Sequence, residues 1–153
     1  MLKRLLPVLA ALVLVLPAAA LGSSTRSEST QLLQQMNVVR AQHGLAPLSA
    51  DTRLSRAAQW HNKEMIDSNV FGHGAFGTRM SKFNVTGRVA GENLAWGTGA
   101  RGTARGIVDA WLASPEHRAN LLRPSFRRVG VSDLVSSFRG YSGAHVVTAD
   151  FAG

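Results

Sequence analysis

The sequence contains no cysteine. That excludes disulfide staples, thiolate nucleophiles and every cysteine-ligated metal site, so stability must come from burial and hydrogen bonding. Acidic residues are scarce: 9 Asp and Glu stand against 17 Lys and Arg, a formal charge of +8. Such an excess favours anionic surfaces, among them lipid head groups and acidic glycans. The basic residues are nevertheless dispersed, with no interleaved aromatics of the kind a base-stacking platform needs, which argues against nucleic-acid binding. Past the N-terminus no apolar stretch approaches the roughly 20 residues that a membrane-spanning helix requires.

The N-terminus is apolar in a different way. Lys3 and Arg4 precede the apolar run Leu5–Leu16, Pro17 breaks it, and Ala18-Ala19-Ala20 supplies small residues suited to signal-peptidase cleavage. Residues 1–20 are therefore expected to be a Sec-type leader, 21–29 a flexible lead-in and 30–153 one folded domain. Export to the periplasm or the medium is expected. Without Lys3 and Arg4, 15 basic residues face 9 acidic ones, a charge of +6. The chain is long enough for one core, and a monomer is expected.

Apolar spacing predicts a helix from Thr30, ended by Gly44, and a second after Asp51 carrying Leu54, Ala57, Ala58, His61 and Met65 on one face. Phe71–Gly77 reads as a loop and Arg79–Phe83 as a short helix. Val89–Gly102 reads as irregular, with a short strand at its start. Thr103 caps a helix whose Ala104, Ile107, Val108, Trp111 and Leu112 form an apolar stripe. Ser114-Pro115-Glu116 opens a short one, with Glu116 at the positive dipole end. Phe126–Val135 and Tyr141–Phe151 read as strands. Helices first and strands last give an α+β fold.

Three polar residues stand out by setting: His73 among glycines, Glu92 in an uncharged stretch, and His117 at the start of the short helix. Two imidazoles and a carboxylate match an open zinc site with water in the fourth position. Their spacing does not by itself join them, and on the residues alone three unrelated surface positions are the plainer reading. His61 shares an apolar helix face and reads as a buried, hydrogen-bonded histidine; His43 and His145 also have structural readings. Gly97-x-Gly99-x-x-Gly102 spells a dinucleotide fingerprint but lacks the βαβ unit and distal acid that would give it meaning.

Further pieces accompany these residues in order: Asn37-x-x-Arg40, Gly44-Leu45-x-Pro47-Leu48, Leu54-x-x-Ala57-Ala58-x-x-His61, Phe71-x-His73, Gly91-Glu92-Asn93, Trp111-x-x-Ser114-Pro115-x-His117-Arg118-x-Asn120, Val129-Gly130-Val131 and Asp150-Phe151. In this series the chain resembles the bacterial branch of the CAP superfamily, the sperm-coating-protein-like domain, from about Leu32 to Phe151. The resemblance implies an α-β-α sandwich, with helices flanking a small, mainly antiparallel sheet. It also implies a cleft lined by two histidines and two acids. His73, Glu92 and His117 match three of the four; Ser114 stands where relatives carry the remaining acid, and Glu116 is a nearby substitute.

The expected function is an exported, non-enzymatic CAP domain whose cleft binds a divalent cation such as Zn2+ through His73, Glu92 and His117, or a lipid-like or cell-wall ligand. The alternatives are a metal-dependent hydrolase of peptides or envelope polymers, with Glu92 as general base, and electrostatic adhesion to anionic surfaces.

Overall fold

The computed structural model describes residues 27–153; the expected leader, 1–20, and most of the lead-in lie outside the described residues. Five helices and four strands follow in the order α1 (Glu28–Gln42), β1 (Ser49–Ala50), α2 (Thr52–Ser68), α3 (Phe76–Lys82), β2 (Ala90–Gly97), α4 (Ala104–Ala113), α5 (Pro115–Leu121), β3 (Arg128–Phe138) and β4 (Tyr141–Ala152). A 3₁₀ turn, Gly99–Gly102, precedes α4. The sheet order is β1-β3-β4-β2; β1 pairs in parallel with β3, and the other pairings are antiparallel.

Local chemistry sets most boundaries. Ser27 accepts a hydrogen bond from the Thr30 amide and so starts α1 two residues before the expected Thr30. Asp51 caps α2 through the amides of Arg53 and Leu54. Thr103 caps α4 through Gly106. Ser114 occupies the cap position of α5, but its side chain makes no capping bond.

Two readings need correction. The helix expected over Arg79–Phe83 begins at Phe76, shortening the preceding loop. Val89–Gly102 is not mainly irregular, because Ala90–Gly97 forms a full strand. Its glycines are steric requirements rather than signs of disorder. A Cβ on Gly91 would lie 2.8 Å from the Phe126 ring, and one on Gly97 2.8 Å from the Arg101 carbonyl oxygen.

The two faces of the sheet differ in what they bury. On one, Leu32, Met36, Ile107, Val108, Trp111 and Phe151 belong to a continuous apolar core between the sheet, α1 and α4. The Phe126 and Phe151 rings stack there at 5.3 Å. On the other, α2 lies against β3 so closely that a Cβ on Gly130 would fall 2.0 Å from the Leu54 carbonyl carbon. That face contains Asn62, wholly buried, whose amide donates to Ser132 and to the Val146 carbonyl while its oxygen accepts from Thr148. The Asn37-x-x-Arg40 piece is also architectural. Asn37 exchanges two bonds with the Leu48 backbone, and buried Arg40 donates to the carbonyls of Ala46, Leu121, Arg123 and Phe126.

Candidate functional site

Strand β2 lies at one end of the sheet order, and the residues singled out by sequence gather around it. Glu92 is 6% exposed on β2, directly opposite Asp150 of β4 in the antiparallel register, so both side chains share the α2 face. His73 comes from the loop between α2 and α3 with its side chain 60% exposed, and its Nδ1 lies 2.7 Å from Glu92 Oε1. Arg79, on α3 and 2% exposed, donates to the other Glu92 oxygen and to the His73 carbonyl at 3.2 Å. Its Nη2 lies 3.7 Å from Asp150 Oδ1.

His61 anchors the His73 loop from below. It is 2% exposed, as the structural reading expects, and its Nε2 lies 2.9 Å from the Gly72 carbonyl. A carbonyl only accepts, so that nitrogen carries the proton. Burial foremost, then the Arg79 charge, hold His61 below its ordinary range, which keeps it neutral.

Two carboxyl groups and one guanidinium therefore share a dry volume. Burial pushes Glu92 up to about 7, against the pull of Arg79. Burial and the neighbouring Glu92 charge push Asp150 well above the usual carboxylate range. Neither Asp150 oxygen has a hydrogen-bond partner of ordinary geometry, nor does Arg79 Nε. Of the two acids Asp150, the less well solvated, holds its proton to the higher pH, and Glu92 is the first to ionise, as the carboxylate that faces Arg79.

His117 reaches the cleft from α5. Its carbonyl accepts from Asn93, while Asn120 donates to the Glu92 carbonyl and to Asn93, tying α5 to β2. Burial first, then the nearby His73, hold His117 below its ordinary range. Both His117 and Ser114 line a depression of about 340 Å³ floored by Phe71, Leu94, Trp96 and Trp111. The expected triad is thus brought together unevenly: His73 and Glu92 are bonded, whereas His117 is joined to His73 only through charge. Glu116 is exposed in the first turn of α5 and acts on His117 only through its charge.

As arranged, these residues do not fit the expected divalent cation. Both Glu92 oxygens are already engaged, one by a guanidinium that repels a second cation, and Ser114 supplies no carboxylate. That leaves two imidazoles where a zinc site needs at least three protein ligands. Among the described residues no group of three or more His, Asp or Glu side chains is placed to hold a metal ion.

Arg79 and Asp150 are the partners that sequence reasoning missed. Arg79 counts there as one of many dispersed cations, and Asp150 only as part of a closing motif. The available signal was that the stretch from Val89 to Gly102 offers Glu92 no local counter-charge except Arg101.

Among the described residues no helix is long and apolar enough to cross a membrane. Residues 33–151 match the model of the cysteine-rich secretory protein family. The chain is 34% identical over 119 residues to the uncharacterized protein YkwD of Bacillus subtilis, covering 74% of this chain and 45% of that one. An extracellular protein of Bacillus anthracis containing an SCP domain superposes with a TM-score of 0.70 at 28% identity, covering 82% of this chain and 40% of the other. An outer surface protein of Borrelia burgdorferi gives 0.71 at 22% identity, over 83% and 92% of the two chains, a likeness of fold alone. The chain spans less than half the length of both Bacillus relatives. With the helical layers, the mixed sheet and the order of its motifs, it belongs to the cysteine-rich secretory protein family, in the bacterial branch of the CAP superfamily, and it does so without a single cysteine.

Proposed function

We propose that this CAP domain acts outside the cytoplasm as a metal-independent binding module, taking a small or envelope-derived ligand in the cleft beside β2. The supporting observation is the depression of about 340 Å³, apolar at its floor and bounded by His117 and Ser114. Apolar walls with a few convergent polar groups are the usual make-up of a ligand site. Tyr141, 56% exposed, packs against Trp96 at 5.5 Å and extends the aromatic surface outward.

The test is a titration of the labelled domain, followed by amide and imidazole NMR shifts, with N-acetylglucosamine, a muramyl peptide and a lysophospholipid. Binding by one of the three should move resonances of Trp96, His73 and His117 and weaken in Trp96→Ala. Shifts spread evenly over the basic surface and abolished by salt favour adhesion instead. No shift with any probe contradicts the cleft reading.

A hydrolase is the second reading, and the His73–Glu92 bond favours it. In that arrangement the general base is His73, oriented by Glu92; buried and doubly bonded, Glu92 is unsuited to act directly on substrate. Loss of turnover on a peptide or envelope polymer in His73→Ala, with the fold intact, supports it; turnover unchanged in that variant removes it.

A further inference from the structure

We propose that Arg79 fixes which nitrogen of His73 carries the proton, and thereby makes the exposed nitrogen of that imidazole a hydrogen-bond acceptor. The inference rests on the cleft being a ligand site and names the ligand chemistry it selects: hydroxyl, amide N–H or ammonium groups rather than phosphate or carboxylate.

The argument runs through the bond between His73 Nδ1 and Glu92 Oε1, 2.7 Å long. An ionised carboxylate only accepts, so the proton on that bond belongs to Nδ1, and neutral His73 presents a lone pair on Nε2. The polarity of the exposed nitrogen therefore depends on Glu92 staying ionised. Arg79 is what keeps it so: its side chain is 1% exposed, its guanidinium binds Glu92 directly, and the Phe76 ring lies 5.4 Å from it. Among the described residues no lysine or other arginine is paired with Glu92. His61 Nε2 lies 3.9 Å from Glu92 but is neutral and committed to the Gly72 carbonyl. Arg79 also donates to the His73 carbonyl, fixing the backbone that aims the ring.

Without Arg79, two buried carboxyl groups have no counter-charge, and Glu92 takes up a proton. With its O–H turned to His73, the protonated carboxyl donates to Nδ1, and the ring proton sits on Nε2. The exposed face of the ring changes from acceptor to donor, although neither His73 nor Glu92 has been altered. Arg79 is thus a positioning residue, acting through Glu92.

Long-range ¹⁵N–¹H correlation of the His73 imidazole, recorded at about pH 8, above the value of about 7 at which Glu92 ionises, reads the tautomer directly. Wild type and Arg79→Lys, which keeps the charge, should show the proton on Nδ1; Arg79→Met should show it on Nε2. A purely structural role for Arg79 would broaden or shift the resonances without exchanging the two nitrogens. Wild type with the proton on Nε2 overturns the proposal, as does folded Arg79→Met that keeps it on Nδ1. If Arg79→Met does not fold, wild type and Arg79→Lys decide, and either one with the proton on Nε2 is contrary. The tautomer is read without ligand, so failure of the binding titrations leaves this result standing. For selectivity, inorganic phosphate that shifts the His73 imidazole in wild type while N-acetylglucosamine does not would contradict the acceptor assignment.

Discussion

The two faces of one sheet solve the problem of burial in opposite ways. Along β4, Val147, Ala149 and Phe151 point into the apolar core with α1 and α4, whereas the alternate residues Val146, Thr148 and Asp150 meet α2 and the cleft. The first face is held chiefly by shape and area, with Arg40 and Asn93 as its buried polar exceptions, so its cohesion is distributed over many contacts. The second contains Arg79, Glu92, Asp150, Asn62 and His61, all buried, and depends on each polar group finding its partner. Identical backbone therefore supports a tolerant half and an intolerant one, and the candidate site belongs to the intolerant half.

The largest expected effect tests that contrast at its centre. Arg79→Met should destabilise the domain by about 3–5 kcal/mol in urea unfolding, the usual cost of removing one partner from a buried ion pair. A loss below about 1 kcal/mol would mean that the buried charges are not interdependent.

Asp150→Asn should have the next largest effect, visible in its pH dependence. A folded-state carboxyl raised above its unfolded value near 3.9 stabilises the fold relatively at low pH and costs stability as pH climbs from there towards the folded value. The variant removes that cost, so its stability relative to wild type should rise as pH climbs above about 4. Parallel pH curves for the two proteins would show that Asp150 is not the proton-holding acid.

The smallest change is expected on the apolar face. Ile107→Val, at a position 1% exposed, should cost only about 0.5–1.5 kcal/mol. A loss equal to that of Arg79→Met would erase the distinction between the faces.

How much of this was legible in the sequence follows the range of the interactions. Asp51 and Thr103 announce their helices because a cap is a local bond. Gly44 ends α1 because its φ of +68° is a position that glycine fills without strain. Strand β2 was obscured because its pairing is with β4, 48 to 62 residues further along the chain, and because Gly91 and Gly97 are imposed by Phe126 and the Arg101 backbone. His61 could be placed by its helix face. His73, Glu92 and His117 could be nominated by setting but joined only by family resemblance. The partnership of Arg79 with Glu92 and Asp150 exists only in three dimensions. A cation that looks like surface charge is one of the largest fully buried side chains in the domain.

The most direct test of the central claim, that Arg79 and His73 saturate Glu92 and leave the cleft metal-independent, is zinc calorimetry at neutral pH on wild type and His73→Ala. The account predicts no saturable site and indistinguishable heats in the two proteins. One equivalent of zinc bound by wild type and lost in His73→Ala would contradict it.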